Sequence, residues 1–422
     1  MNRKILSIIL AIAMVLCVFS FASCGKNSDA ADDGDKNVDT KPGDKLKIGA
    51  ILLGDENEGY TYAHIVGIKA AAEACGLSED QIVWRYSVGE NEACHDAAME
   101  LVDAGCTVIF SNSYGHQTYM QQAASEVSDV TFVAMTGDTA NYSGLSNLCN
   151  AFTNVYESRY ISGVVAGMKI KQLIDDKTLD AAKNFDKDGN VKIGYVGAYP
   201  YAEVVSGYTA FFLGIKSIVE NVSMEVQYTN SWFDITAEGE AAKRLVADGC
   251  VIIGQHADST GAPAAVQACH ANGDLAFSIG YNIDMRSVAP DVALTSATNV
   301  WEVYYEYAIK AAMNGDKIAQ NWAAGYAEGA VRITDLGTAC ADGTQEKVDE
   351  AIAAIKDGSL HVFDTSKFTV DGQHIESWKI DLDGDHADET EAVWDGYFHE
   401  SELRSAPSFA IRIDGIEELN AD

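Results

Sequence analysis

Prolines are scarce, and basic residues are far outnumbered by acidic ones. The chain of 422 residues holds 5 Pro against 36 Gly, and 29 Lys and Arg against 63 Asp and Glu, for a formal net charge of -34. So few prolines exclude a Pro-rich linker. So large an acidic excess excludes nucleic acid as a partner, because a polyanion is repelled. Missing too are a CxxC pair, a GxxxxGK[ST] loop, an HExxH helix and a GxSxG elbow. Nothing therefore nominates a phosphate loop, a catalytic zinc or an activated nucleophile. No GxGxxG follows the first apolar run, and the loop there carries Asp55, Glu56 and Glu58, which would oppose a pyrophosphate. No cofactor and no catalysed reaction are expected. What is present is a 47% hydrophobic fraction, enough for a sizeable core. The length suggests two or three folded units.

The first residues read as an address. Arg3 and Lys4 precede an almost wholly apolar run over 5–22, which ends in Phe21-Ala22-Ser23-Cys24-Gly25. Small residues before a cysteine resemble a bacterial lipobox. Residues 1–23 are expected to be a lipoprotein signal peptide and Cys24 the lipidated residue, in preference to an uncleaved anchor helix. Residues 24–45 offer almost nothing to bury and are expected to form a flexible acidic tether. The protein is then expected to be lipid-anchored at the extracytoplasmic face of the cell membrane, as a monomer. Seven cysteines remain: Cys75, Cys94, Cys106, Cys149, Cys250, Cys269 and Cys340. Most sit in apolar runs and are expected as buried thiols, with no disulfide named.

From 46 onward, apolar strand-like runs alternate with helical periodicity. LKIGAILLG (46–54) is a buried strand and the segment 61–76 a helix. Further strands and helices follow, to a long helix over 155–174. The pattern then restarts. Lys47-Ile48-Gly49 recurs 145 residues on as Lys192-Ile193-Gly194, and Gly105-Cys106 recurs 144 residues on as Gly249-Cys250. Nearly equal offsets support two similar βα lobes. The fold class expected is α/β, two doubly wound Rossmann-like lobes joined by a hinge. The N-terminal lobe is expected over 46–170 with roughly 294–318, and the C-terminal lobe over 171–293 with roughly 319–422.

Two such lobes turn the C-terminal ends of their strands toward one cleft. The candidate ligand residues lie in those loops. They are Asn57, Tyr60, Thr61 and His64, then Asn112 and Tyr114, then Asp138 from the first half. The second half supplies Trp232, His256, Asp258, Asn282 and Asp284, followed by Asn299. Aromatic rings, amides and carboxylates suit a flat, polar, uncharged ligand: rings stack on its faces and amides read its edge. Taken singly, a loop Tyr or Asp is as readily a core residue or a helix cap. A separate stretch, Asp381, Asp383, Asp385 and Asp388, has oxygen ligands for Ca²⁺. His386 sits where an EF-hand loop wants Gly, so a solvated turn is the favoured reading.

The stretches GYTYAH (59–64), NSWFD (230–234), QHADS (255–259), GYNIDM (280–285), AP (289–290) and LTS (294–296) resemble the basic membrane protein family of bacterial substrate-binding lipoproteins. The resemblance runs from about 46 to 335. It implies the type I periplasmic-binding-protein fold, a Venus flytrap, and delivery of a purine nucleoside to an ABC permease. It puts the purine sandwich on Tyr60 and Trp232. The family's base-edge acid falls on Asn57, its ribose-binding Asp on Asn282 and its ribose-binding Lys on Asn299. Losing that Asp and Lys weakens the case for ribose and makes a free purine base credible. Alternatives are a sugar-binding protein of the same fold, a surface sensor, or a nucleosidase using Asp138 or Asp258.

Overall fold

The computed structural model describes residues 46–421. The expected signal peptide, Cys24 and the whole tether lie outside them. Among the described residues no helix is long and apolar enough to cross a membrane.

A first sheet is made of β1 (Ile48–Ile51), β2 (Ile82–Arg85), β3 (Val108–Ser111), β4 (Thr131–Met135) and β5 (Leu148–Thr153). A second holds β6 (Val191–Gly197), β7 (Val222–Tyr228), β8 (Ile252–His256), β9 (Phe277–Tyr281) and β10 (Ala293–Asn299). Within each of these sets all pairings are parallel. β11 (Asn321–Ala324) extends the first sheet beside β5, and β12 (Val331–Ile333) runs antiparallel to β10 on the second. Four two-residue strands, β13 (Lys379–Ile380), β14 (Thr390–Glu391), β15 (Val393–Trp394) and β16 (Tyr397–Phe398), form two small hairpins. β17 (Ile416–Glu418) closes the second sheet beside β7. The sheet orders are β11-β5-β4-β3-β1-β2 and β12-β10-β9-β8-β6-β7-β17.

Parallel strands need helical crossovers and are buried on both faces, which is why β1 is apolar or small throughout and β8, though it ends in Gln255 and His256, is wholly buried. The helices of the first lobe are α1 (Gly59–Ala74), α2 (Glu92–Asp103) and α3 (Gln117–Glu126). Those that follow are α4 (Val155–Asp175), α5 (Ala202–Lys216), α6 (Ile235–Ala247), α7 (Gly261–Ala271), α8 (Trp301–Asn314) and α9 (Thr344–Lys356).

The two halves repeat in packing as well as in sequence. A Cβ on Gly49 would meet Leu101 at 2.8 Å and Ile109 at 3.3 Å; one on Gly194 would meet Leu245 at 2.9 Å and Ile253 at 2.8 Å. In both lobes the first strand is pressed against the second helix, and only glycine allows that approach.

The lobe boundaries differ from the sequence expectation in three places. Helix α4 was expected to end the first lobe, but Ile161, Val164, Val165 and Ile170 are buried in the apolar core of the second sheet. Strand β10 was expected in the first lobe, yet it pairs with β9. Only α8, which follows it, packs on the first sheet, with Trp301, Tyr304 and Tyr305 in the core beside Ile48 and Phe110. β11, expected in the second lobe, pairs with β5. The chain thus passes between lobes after β5, after β10 and after β11. Tertiary pairing, which local periodicity does not encode, decides each case. Among the described residues all seven cysteines are free thiols, with Cys94, Cys106, Cys149 and Cys250 buried.

Candidate functional site

A cavity of about 370 Å³, its open mouth included, lies where the strand ends of the two sheets face each other. Leu53, Tyr60, Asn112, Ser113, Tyr114 and Thr136 line it from the first lobe, and Glu203, Trp232, His256, Asp258 and Tyr281 from the second. Thr136 follows β4 with a φ of 63°, a left-handed conformation that a β-branched residue rarely takes. Such strain clusters at binding sites.

The first-lobe wall is held by its own backbone. The Tyr60 hydroxyl donates to the Asn112 carbonyl at 2.6 Å, which fixes the ring at the start of α1. Asn112 Oδ1 accepts from Leu53 N at 2.8 Å, and its Nδ2 donates to Thr61 Oγ1 at 3.1 Å. Thr61 and Asn112 are thus buried props that lock the β1 and β3 loops together. Across the mouth, Tyr114 approaches Tyr201 at 6.3 Å between ring centroids, and Tyr201 stacks on Tyr199 at 5.0 Å. Trp232 packs edge-on to Tyr199 at 5.2 Å. An aromatic rim therefore spans both lobes.

The second-lobe wall is acidic. Glu203, in the first turn of α5, lies with Oε1 3.2 Å from Nε2 of the buried His256. Behind them the Arg159 guanidinium sits 3.7 Å from the Tyr281 ring centroid and donates to the Gln255 carbonyl at 2.6 Å. Burial, then the Arg159 charge, hold His256 neutral, with its pKa well below the usual range. Burial, then Glu58 and other nearby carboxylates, raise the Asp258 pKa.

A hinge network connects these walls. Thr153 Oγ1 donates to Asn299 Oδ1 at 2.5 Å, and Asn299 Nδ2 donates to Asn282 Oδ1 at 3.1 Å. Asn282 Nδ2 then donates to Asp258 Oδ1 at 2.9 Å. Asn282 has a φ of 60°, which Asn tolerates better than most residues.

Burial pushes the carboxyls of Glu157, Glu203 and Glu238 up from 4.5 to about 7. Between pH 4.5 and 7 the folded protein therefore holds protons that the unfolded chain has released. That stabilisation is present at the acid end and is lost as pH rises through 7. Each group changes stability by at most about 1.4 kcal/mol per pH unit across that window. The ligand-free protein is expected to melt at a higher temperature at pH 5.5 than at pH 8 in scanning calorimetry. A melting temperature that is flat or rises toward pH 8 contradicts this.

The sequence candidates divide. Tyr60, Asn112, Tyr114, Trp232, His256 and Asp258 line the cavity, and Thr61 supports it. Asp138 sits behind Tyr114, accepting its hydroxyl at 3.2 Å and lying 3.7 Å from Arg404. His64 is corrected to a core residue: it is fully buried, stacks on Trp301 at 4.4 Å and lies 2.7 Å from the Tyr305 hydroxyl. On α1 it falls one turn past Tyr60, on the face that packs against α8. Asn57 bonds to Asp55 at the rim, beside Trp232 and Phe233 and outside the main cavity. Asp284 caps a short turn and is paired with Arg286. Asn282 and Asn299 face a separate cavity lined also by Tyr62 and Arg332. Glu203, Tyr281, Leu53, Ser113 and Thr136 were missed. Glu203 follows β6 at a helix start, the signal used elsewhere, but it is set among Tyr and Pro rather than amides. The carboxylates of Asp381, Asp383, Asp385 and Glu389 bring one oxygen each within 4.8 Å of one another in an exposed turn. Asp381 accepts there from Gly384 N at 2.7 Å and His386 N at 2.8 Å.

Two parallel α/β lobes with a polar, aromatic-rimmed cavity at their strand ends define a solute-binding protein. The chain belongs to the Bmp family, described as ABC transporter substrate-binding protein PnrA-like, whose model matches residues 56–362. A purine-binding protein of Brucella abortus is 33% identical over 321 residues, 76% of this chain and 83% of its own. A Haloferax volcanii chain whose name gives it glucose binding in an ABC transporter is 26% identical over 310 residues, 74% of this chain and 72% of its own. Among solved structures, an ABC transporter solute-binding protein of Aeropyrum pernix matches with a TM-score of 0.62 at 16% identity, covering 78% of this chain and 94% of that one. At that identity the match bears on fold alone, and the fold is that of the periplasmic solute-binding proteins. Proteins of this class bind a small molecule and present it to a membrane permease.

Proposed function

We propose that the protein captures a purine, as free base or nucleoside, in the cavity between its lobes and delivers it to the permease of an ABC importer. It does so as a lipoprotein anchored through Cys24 at the extracytoplasmic face. The observation that carries the reading is Tyr60 and Trp232, one from each lobe, lining a single cavity with Asn112, Glu203, His256 and Asp258 between them. Such rings stack on a heterocycle while the polar groups read its edge. Because the contacts come from both lobes, a bound ligand favours the closed state. The 33% identical relative named for purine binding supports the same class.

One arrangement favours the free base. Asn282 and Asn299 spend their amides on each other, on Asp258 and on Thr153. The positions where the family would hold ribose are thus used to join the lobes. Sugar binding is the second reading, favoured by the carboxylate-rich wall and the relative named for glucose.

The test is calorimetric titration of residues 26–422, unfolded and refolded to strip carried ligand. Adenine, guanine, hypoxanthine, their nucleosides, ribose and glucose would each be titrated. Saturable heat with a purine and none with ribose or glucose is expected. Binding of glucose with no purine heat sinks the purine reading.

A further inference from the structure

We propose that the C-terminal tail is a strap between the lobes, and that Arg404 within it is a positioning residue, acting through Asp138 and Tyr114 to hold the cavity closed around its ligand. This rests on the binding reading above. It adds to that reading a part of the chain beyond residue 362, where the family match ends.

The tail is fixed to the second lobe. Phe363, Phe368, Phe409 and Ile411 are buried in the core of the second sheet, and β17 pairs with β7. Phe409 stacks on Phe363 at 4.2 Å between ring centroids. Residues 405–409 form neither helix nor strand, yet all are buried. Their polar groups find partners within the tail: Ser408 N and Phe409 N both donate to Glu400 Oε2 at 2.9 Å. A terminal segment with its backbone satisfied and its rings in a core is a fixed arm rather than a loose end.

From that anchor the arm grips the first lobe. Ser405 donates to Asn321 Oδ1 from its N at 3.3 Å and from its Oγ at 3.1 Å, and Asn321 stands on β11, the outer strand of the first sheet. Tyr142, in the loop after β4, touches the tail at Gly384, where a Cβ would meet its hydroxyl at 3.4 Å. In the same loop Asp138 Oδ2 lies 3.7 Å from Arg404 Nη1, the two side chains being 14% and 15% exposed. Arg404 is aimed there by the tail, for Nη1 and Nη2 donate to the Asp381 and Pro407 carbonyls at 3.5 Å. The same Asp138 oxygen accepts from the Tyr114 hydroxyl at 3.2 Å, and Tyr114 lines the cavity and meets Tyr201 of the second lobe at its mouth. A path of side chains thus runs from the tail to the ligand. Opening carries the first lobe away from the second, and an arm fixed to the second lobe then loses its grip on the first. Contacts made only in the closed state stabilise that state, as a ligand does. The ion pair is largely buried, so salt screens it less than a surface pair, and removing Arg404 leaves Asp138 without its cation.

The test compares wild type with Arg404→Ala, Arg404→Lys and Asn321→Ala. Small-angle X-ray scattering of the ligand-free proteins reports the separation of the lobes and needs no ligand. Stopped-flow tryptophan fluorescence, with adenine and with hypoxanthine, reports association and release. Arg404→Ala is expected to have a larger radius of gyration than wild type and to release its purine about 5- to 30-fold faster, with association not slowed. Arg404→Lys is expected to release within about threefold of wild type, because the contact with Asp138 is one charge against another rather than a two-pronged fork. Asn321→Ala removes the other grip from the first-lobe side. It is expected to shift both readouts in the same direction, and it decides the question should Arg404→Ala not fold. Circular dichroism and the melting temperature report folding. If the contacts serve stability alone, the alanine variants melt earlier but keep wild-type scattering and release within about threefold of wild type, and that result overturns the inference while leaving the purine reading intact. No purine bound by wild type overturns the purine reading, and unchanged or enlarged scattering radii then decide the strap.

Discussion

Trp232→Ala is expected to weaken purine binding by about 30- to 100-fold while the protein stays folded. The size follows from two contributions. An aromatic stack adds about 0.5–1.5 kcal/mol beyond area burial, and removing a large ring from a binding pocket forfeits a further 1–2 kcal/mol of apolar burial. Together these come to about 1.5–3.5 kcal/mol, which spans the range of an interface anchor. The fold should tolerate the change. Trp232 stands in the loop after β7 and is only partly buried, and its carbonyl, which accepts from Asp258 N at 2.8 Å, is retained in Ala. Tyr199 and Tyr201 border it and would cover part of the gap. Calorimetry against the best purine of the panel checks the affinity. Binding within about threefold of wild type would remove the ring from the site.

Trp301→Ala acts on the other side of the same wall and is expected to cost about 3–5 kcal/mol of stability. Trp301 is 1% exposed and fills the space between α8 and α1. It stacks on His64 at 4.4 Å, and its ring centroid lies 6.0 Å from Phe152 and 6.4 Å from Tyr60. A Cβ on Gly67 of α1 would come within 3.0 Å of Trp301 Cβ, so α1 is packed directly against this residue. Deleting the indole leaves a void that helices so close cannot collapse into. His64, its pKa lowered to about 3 by burial, would be exposed to water and become easier to protonate. The variant should therefore unfold earlier in urea at pH 7, and its deficit against wild type should shrink at pH 5.5, because wild type alone keeps His64 unprotonated there. A loss below about 1 kcal/mol would show that the α1–α8 seam does not depend on the ring. A secondary loss of affinity is expected, because Tyr60 leans on His64 at 4.6 Å.

Much of the fold was legible because parallel strands announce themselves as short apolar runs and amphipathic helices as longer ones. LKIGAILLG and VKIGYVGAY were readable as equivalent strands, and their glycines prove to fill equivalent places against Leu101 and Leu245. β5 (LCNAFT) was not seen, since Cys, Asn and Thr break the apolar run although all six residues are buried. β11 and β12 are short, and only their partners make them strands. The tail beyond 359 holds only four two-residue strands and β17 and is otherwise mostly irregular, with no sustained periodicity to read.

The candidate site was legible where the loops carry aromatics and amides in strand-end positions. His64 was misplaced because a histidine next to such a loop looks available until the α8 contact is known. Asn282 and Asn299 looked like ligand groups for the same reason, and only the hinge geometry shows their amides satisfied by each other. Glu203 escaped because a lone carboxylate at a helix start reads as a dipole partner. His256, 53 residues away in sequence, is what gives it a direction.

The measurement that bears most directly on the central claim is the crystal structure of the refolded protein with the tightest purine of the panel. The account predicts the ring between Tyr60 and Trp232, with its N–H edge toward Glu203 and Asp258 and with Asn282 and Asn299 still bonded to each other. A purine bound elsewhere, or a ring in the cleft touching neither aromatic residue, would contradict it.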